Sequence, residues 1–228
     1  MAVFDRVQAV VFDKDGVLAD SESINLSSAF EVFRRRGFEL DPADQAVIVG
    51  KHPVHYVPRF CRRFGLDERE QRRIVDEQDG IYTRQWREQG RLFDGARETL
   101  VAVRRLGYAV GLATSSGRRE VDEFLARFEL GSFLDVTLTL DDVNRAKPAP
   151  EIYLAAAERL GVAPVEMLVV EDSEHGIRAA KEAGALCVAV RSPHVEPERA
   201  RLADAHIGTI GDLVPFLREA EGRGPPLG

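Results

Sequence analysis

The chain has 228 residues, 44% hydrophobic and 30% charged, with a formal net charge of −7; that composition suits a globular protein built as one core domain with an inserted module, or as two small domains. The acidic balance argues against nucleic acid as a partner, and no apolar run approaches the ~20 residues of a membrane-spanning helix. The start, MetAlaValPheAspArg, lacks a signal-peptide pattern, and two cysteines, Cys61 and Cys187, are too few for a disulfide framework, so a reduced, cytoplasmic setting is expected.

In chain order, an apolar strand is predicted from Arg6 to Phe12, stopping at Asp13, Asp15 and Gly16. Alternation on an extended backbone can send Asp13 and Asp15 to the same side. Like charges ~4 Å apart at an effective dielectric of ~20 repel by about 4 kcal/mol. Such a pair asks for a cation, a shared proton or good separation; a solvated Asp-Gly turn is the plain alternative. From Ser21 to Glu88 the pattern turns helical, with Ala29, Phe30, Val32 and Phe33, then Ile74, Ile81 and Tyr82, near helical spacing. Gly37–Pro42 and Gly65–Glu68 read as breaks between helices. This stretch fits a helical cap inserted between two hinges, Ala19–Ser21 and Gln89–Gly95.

After Asp94 helices and strands alternate. Helices are predicted over Ala96–Leu106, Arg118–Phe128, Glu151–Leu160, Glu174–Ala183 and Asp212–Glu219. Strands are predicted over Ala109–Ala113, Val136–Thr139, Leu168–Val170, Leu186–Val190 and His206–Ile210. Such alternation implies an α/β fold, a Rossmann-like, mostly parallel sheet covered by helices. The expected division is 1–19 with 93–228 as the core and 20–92 as the all-helical cap. The tail Gly222–Gly228 reads as frayed.

Polar groups gather where these strands end. Asp13 and Asp15 follow the first strand, Thr114, Ser115 and Ser116 the second, and Glu171 and Asp172 a later one; Lys147 stands before a proline-bounded helix start. In an open α/β sheet the carboxyl ends of the strands converge on the ligand. Two acid clusters, hydroxyls at a helix start and one lysine make a site for a metal and a phosphate. Helix capping by Ser, Thr and Asp is the plain alternative for several of them.

The ordered set Asp13-Lys14-Asp15-Gly16-Val17-Leu18, Thr114, Lys147-Pro148 and Glu171-Asp172-Ser173 resembles the haloacid dehalogenase superfamily phosphatases with a helical cap, the phosphoglycolate phosphatase and β-phosphoglucomutase-like group. The likeness spans about Val7 to Leu213. It implies a Mg²⁺-dependent phosphomonoester hydrolase of a small metabolite, a sugar phosphate or phosphoglycolate, with a phosphosugar mutase as the alternative. A receiver-type signalling module fits less well, because it does not phosphorylate the first strand and carries no helical insertion.

In that resemblance Asp13 is the nucleophile that forms an aspartyl-phosphate, and Asp15 the general acid and then base. Asp15 also argues against the dehalogenase and phosphonatase branches. Thr114 holds a phosphate oxygen, Ser115 and Ser116 add donors at a helix start, and Lys147 supplies a fixed positive charge. Asp13, Asp172 and Glu171 would hold Mg²⁺, Asp172 directly and Glu171 directly or through water, with Asp15 joining through its backbone carbonyl. Lys14 departs from the usual apolar residue; alternation points it away from the site, toward a salt bridge, unless it adds charge near the phosphate. Ala146 stands where relatives often carry glycine.

The cap would choose the substrate, with Asn25, Lys51, His52, His55 and Arg59 as candidates. Arg34–Arg36 read as an exposed helix face and Trp86 as packing; His175, His194 and His206 have no motif support. Asn25 stands where mutase relatives carry histidine. Pro53, after the cap glycine Gly50, stands where they carry a phosphate-gripping arginine. Both weaken the mutase reading. The expected partners are a small phosphorylated metabolite and, at most, other copies of the chain, as a monomer or small homo-oligomer.

Overall fold

The computed structural model describes residues 4–49, 51–191 and 199–220, the side chains of 199 and 200 excepted. Gly50, His194 and the tail Gly222–Gly228 lie outside the described residues. The chain forms two compact units, one from the residues up to Ala19 and from Leu92 onward, the other from Asp20–Arg91.

The first unit is built on short aliphatic runs: β1 (Ala9–Phe12), β2 (Ala109–Ala113), β3 (Val136–Leu138), β4 (Met167–Glu171), β5 (Leu186–Val190) and β6 (Ala205–Ile207). They pair in the order β3-β2-β1-β4-β5-β6, every pair parallel. β1 lies between β2 and β4, with Phe12 in register with both Leu112 and Val170. The order reverses at β1, so the end of β1 is the switch point where such sheets bind ligands. Strands buried on both faces read as unbroken apolar runs rather than alternating ones. Val10, Val11 and Phe12 are all fully buried.

The helices of the second unit are α1 (Glu22–Arg34), α2 (Gln45–Ile48), α3 (Pro53–Phe64) and α4 (Glu68–Gln89). Those of the first are α5 (Ala96–Arg105), α6 (Arg118–Arg127), α7 (Glu151–Leu160), α8 (Glu174–Glu182) and α9 (Leu213–Ala220). Tyr153, Ala156 and Ala157 of α7 and Ile177 and Ala180 of α8 pack with Ala9, Val11, Val169 and Cys187 in one core cluster. α5 packs on β2 and α9, and Thr99 on α5 donates to the carbonyl of Ile210 at 3.2 Å.

Three strands are shorter than the sequence suggests, β3 by the single residue Thr139, whose amide and hydroxyl turn to Asp142. β1 starts at Ala9 rather than Arg6, because Phe4–Val7 close a turn through a 3.1 Å bond from Val7 N–H to the Phe4 carbonyl. β6 ends at Ile207 rather than Ile210, because the Thr209 amide and hydroxyl both turn to Asp212, at 2.8 and 3.0 Å. An apolar count cannot see a side chain that captures the backbone.

The second unit is all helical among its described residues. Asp67 caps α4 by accepting from the Glu70 amide at 2.8 Å, as favoured N-cap residues do. Gly37 and Gly65 take φ of +78° and +69°, which side-chain-bearing residues resist, and Gly65 closes α3. Ala29, Val32, Phe33, Ile48, Val57, Phe60, Ile74 and Ile81 form its core. Arg34 and Arg35 are exposed, whereas Arg36 is drawn in by Glu70 at 2.8 Å and Glu77 at 2.9 Å. Trp86 is buried and stacks on Tyr82. Cys61 and Cys187 are both buried and free, one in each unit.

Phe60 meets Phe33 edge-on at 5.4 Å and Tyr56 at 6.1 Å, and it is 1% exposed. Phe60→Ala should cost about 3–5 kcal/mol, the range for truncating a buried aromatic, as the shift of a denaturant unfolding curve.

Candidate active site

Asp13 is the first residue past β1, and its amide donates to the Val170 carbonyl at 3.0 Å. That bond continues the β1–β4 ladder one step and aims the side chain past the sheet. The Lys147 ammonium reaches Asp13 Oδ1 at 2.6 Å, Glu171 Oε1 at 2.7 Å and the Ala113 carbonyl at 3.0 Å. Those three acceptors use all three of its donors. The loop holding Lys147 is thus bound to the ends of β1, β2 and β4 at once. Tyr153 lies beneath, its ring 4.9 Å from Lys147 Nζ and its hydroxyl donating to Glu171 Oε1 at 2.9 Å.

Glu171 is fully buried. Its other oxygen, Oε2, accepts from the amides of Asp172 and Ser173 and from the Ser173 hydroxyl, at 3.0, 3.1 and 3.0 Å. Five donors on one carboxylate leave almost no lone pair unused. Two glycines make room for the acids. A Cβ on Gly16 would fall 1.9 Å from Asp172 Oδ2, and one on Gly176 would fall 1.6 Å from Glu171 Oε1.

Burial pushes the Asp13 carboxyl up to about 7, against the pull of Lys147 and with help from the charges of Glu171 and Asp15. Asp172 is raised well above the carboxylate range by burial and then by Glu171, Asp13 and Asp15. Burial acts against the Lys147 ammonium but is outweighed by Asp13 and Glu171, so it stays charged. Glu171 is also buried, yet Lys147 and its hydrogen bonds hold it below its ordinary value.

Oxygens of Asp13, Glu171 and Asp172 lie within 4.8 Å of one another. Three carboxylates face one ammonium there, and burial first, then the neighbouring acids, raise Asp13 and Asp172. A divalent cation would add positive charge there, and hard carboxylate oxygens suit Mg²⁺. The residues fit such an ion. Given the five donors on Glu171, Asp13 and Asp172 are the better candidates for direct contact.

The other expected site residues fall in different places. The Asp15 carboxylate stands outside that acid cluster, with Oδ1 3.0 Å from Lys14 Nζ and Oδ2 3.0 Å from Ser116 Oγ. Thr114 is buried; its Oγ1 accepts from the Ser116 amide at 3.1 Å, so its own proton remains available to an anion. Ser115 is exposed at the turn. The Ser116 hydroxyl, expected to face a phosphate, is instead placed between Asp15 and Glu120, 3.2 Å from the latter. Lys14 is fully buried and paired with Glu120 as well as Asp15. The salt-bridge expectation for Lys14 thus holds, but its charge ends beside Asp15 rather than on a remote face.

In the helical unit, Asn25 donates to Glu22 at 3.1 Å and to the Lys51 carbonyl at 3.4 Å, and accepts from Tyr56 and Gln78, both at 3.4 Å. Lys51 Nζ bonds the Val47 carbonyl at 3.0 Å. His52 caps α3, its Nδ1 accepting from the Val54 amide at 3.4 Å. Asn25 and Lys51 therefore meet, while the described bonds of all three serve local structure. His55, Arg59, His175 and His206 are exposed. Sequence reasoning missed Tyr153 and Glu120. Tyr153 stands in the first turn of α7 just after the Lys147 loop, a weak signal for the first, and nothing local marked the second.

Residues 7–184 match the family model of haloacid dehalogenase-like hydrolases. The chain is 35% identical over 193 residues to the phosphorylated carbohydrates phosphatase of Thermotoga maritima, covering 78% of this chain and 82% of that protein. It is 26% identical to hexitol phosphatase B of Escherichia coli, covering 91% and 95%. Among solved structures, a candidate β-phosphoglucomutase from Thermotoga maritima superimposes with a TM-score of 0.81 at 29% identity, covering 93% of this chain and 99% of that one. The chain belongs to the haloacid dehalogenase-like hydrolase family and is an enzyme of its phosphatase type. Enzymes of this family generally use a divalent metal.

The Asp13 carboxyl, raised to about 7, keeps a proton in the folded chain that it has lost in the unfolded one between about pH 4 and 7. The native state binds more protons there, so stability without metal falls as pH rises through that window. A bound cation takes the place of those protons. The gain in melting temperature on adding Mg²⁺ should therefore grow from about pH 5 to about pH 8. Calorimetric melts of chelated and Mg²⁺-loaded protein would show this, and a gain flat with pH would contradict the charge assignment.

Proposed function

We propose that the chain is a Mg²⁺-dependent phosphomonoester hydrolase acting on a small phosphorylated metabolite, a sugar phosphate or phosphoglycolate, through an aspartyl-phosphate on Asp13. The observation that carries this reading is the separation of two neighbouring acids. Asp13 is clamped to Lys147 at 2.6 Å within the acid cluster, while Asp15, two residues on, is turned to Lys14 and Ser116. That separation supports assigning attack to Asp13 and proton transfer to Asp15.

In the first step an Asp13 oxygen bonds to phosphorus and the ester P–O bond breaks. The departing oxygen takes a proton from the Asp15 carboxyl and leaves as an alcohol. In the second step water attacks the same phosphorus and gives a proton to Asp15; the P–O bond to Asp13 breaks, and inorganic phosphate leaves with both acids restored. Lys147 keeps Asp13 oriented and offsets charge on the phosphoryl oxygens. Thr114 donates its hydroxyl to one of them, and Ser115 adds a donor at the head of α6. Mg²⁺, held by Asp13 and Asp172 with Glu171 behind them, would neutralise the phosphoryl oxygens.

The names of relatives support a sugar-phosphate substrate, since the phosphatase matched at 35% identity acts on phosphorylated carbohydrates. A phosphosugar mutase is the second reading, favoured by the candidate β-phosphoglucomutase of similar structure. Against it, Pro53 is buried at the start of α3, where a cationic grip would be needed. The Asn25 amide, engaged with Tyr56 and Gln78, cannot titrate as a histidine would. Removal of Mg²⁺ by chelator should abolish phosphate release from a panel of sugar phosphates and phosphoglycolate, and re-addition should restore it. Asp13→Asn should fold normally and lose at least ~10³-fold in kcat, the scale of losing a nucleophile. A folded Asp13→Asn variant turning over near the wild-type rate would remove the covalent mechanism.

A further inference from the structure

The proton-transfer role of Asp15 requires its carboxyl group to stay within hydrogen-bond reach of the departing oxygen. Asp15 is itself partly exposed, and displacement of such a group by about 1 Å can cost ~10²-fold in rate. Oδ2 is held by a hydrogen bond and Oδ1 by an ion pair. Oδ1 is 3.0 Å from the Lys14 ammonium, and Oδ2 is 3.0 Å from the Ser116 hydroxyl. One atom, Glu120 Oε1, pairs with Lys14 and lies 3.2 Å from Ser116 Oγ, whose single proton goes to either Asp15 or Glu120. Glu120 belongs to the first turn of α6. Lys14 is completely buried, with its ammonium 5.7 Å from the centre of the Phe124 ring, one turn along the same helix.

A buried lysine is expensive and persists only when paired. Lys14 neighbours the proposed nucleophile, yet its described ion pairs are to Asp15 and Glu120. Its position in sequence is dictated by β1, and its partner in space by α6.

We propose that Lys14 and Glu120 are positioning residues that hold the Asp15 carboxyl for proton transfer to the leaving group, an inference that rests on the hydrolase reading above. Ser116 completes the ring, so that the end of β1 and the start of α6 fix the proton donor from both sides. The ring explains why a lysine occupies a position where an apolar residue would pack as well. It also gives Ser116 a role on the acid rather than on the phosphate.

The inference separates from a merely structural role by leaving-group dependence. An aryl ester such as 4-nitrophenyl phosphate departs without protonation, whereas an alkyl ester such as glucose 6-phosphate needs the proton. Because kcat/KM reports only the steps through phosphoenzyme formation, it isolates the acid role from the later base role. In full-length, Mg²⁺-loaded enzyme, Lys14→Met and Glu120→Gln should each lower kcat/KM for the alkyl ester by at least ~10-fold more than for the aryl ester, within the range that general acid catalysis supplies. Mg²⁺ affinity by titration calorimetry should not change. Equal losses on both esters, or no loss, would overturn the positioning role. Should Lys14→Met fail to fold, Glu120→Gln, which keeps shape and one hydrogen bond, decides the matter. A wild-type enzyme that hydrolyses neither these esters nor any sugar phosphate would instead sink the hydrolase reading itself.

Discussion

The Lys147 ammonium, set between Asp13 and Glu171 at 2.6 and 2.7 Å, is the interaction on which the site depends. The strand ends bring three carboxylates within reach of a single small volume. Two unit charges ~4 Å apart repel by about 4 kcal/mol at an effective dielectric of ~20, and burial together with that repulsion raises Asp13 and Asp172 rather than leaving all three acids ionised. Lys147 offsets the charge shared by the end of β1 and the end of β4. Lys147 is 5% exposed, so removing one partner of the cluster would strand a buried charge, typically a loss of 3–5 kcal/mol. Its third donor, on the Ala113 carbonyl, extends the same clamp to β2. One side chain thereby ties together the ends of three adjacent strands.

The sheet order makes this possible. β1 is flanked by β2 and β4, so the loops after those three strands open side by side. Only small residues fit between them. Gly16 and Gly176 leave the space that the Asp172 and Glu171 carboxylates fill. The apolar run before each acid is buried on both faces and fixes the strand to within a residue. A carboxylate attached to so rigid a strand has little freedom left to lose on reaching a transition state. Stability of the sheet and aim of the acids are therefore one property.

Much of this arrangement was legible in the sequence because it is local. Apolar runs ending in Asp13, Thr114 and Glu171 announce strand ends, and α/β alternation with a helical insertion announces a parallel sheet. Strands β2 and β5 and helix α7 fall on their expected bounds. What could not be read is who meets whom across long sequence separations. Glu120 is 106 residues from Lys14, and no periodicity links them. Alternation placed the Lys14 backbone correctly, but a four-carbon stem carries its charge back beside Asp15. Saturation of Glu171 by five donors was equally hidden, because three of them come from the backbone and hydroxyl groups that follow it. In the helical unit the candidate contacts Asn25, Lys51 and His52 were chosen by chemical type, and the structure engages them in capping and in bonds within the unit. A polar side chain near a helix start has a structural use for its hydrogen bonds before it has any other.

The contrast between Asp13 and Asp15 carries the argument furthest. They are the same residue type, two positions apart, and both lie past the end of β1. Their difference lies wholly in what other elements bring to them. Asp13 receives the lysine of the loop before α7 and the acids at and just past the end of β4; Asp15 receives the neighbouring lysine and a serine from the turn before α6, both backed by Glu120 of α6. The first environment presses charge together and demands a cation. The second surrounds an acid with its own counter-charge and a hydroxyl, outside the acid cluster. A fold that separates two carboxylates so completely can assign them different work without changing either residue, and most of the partners that distinguish them, Lys147, Ser116 and Glu120, lie outside the motif containing them.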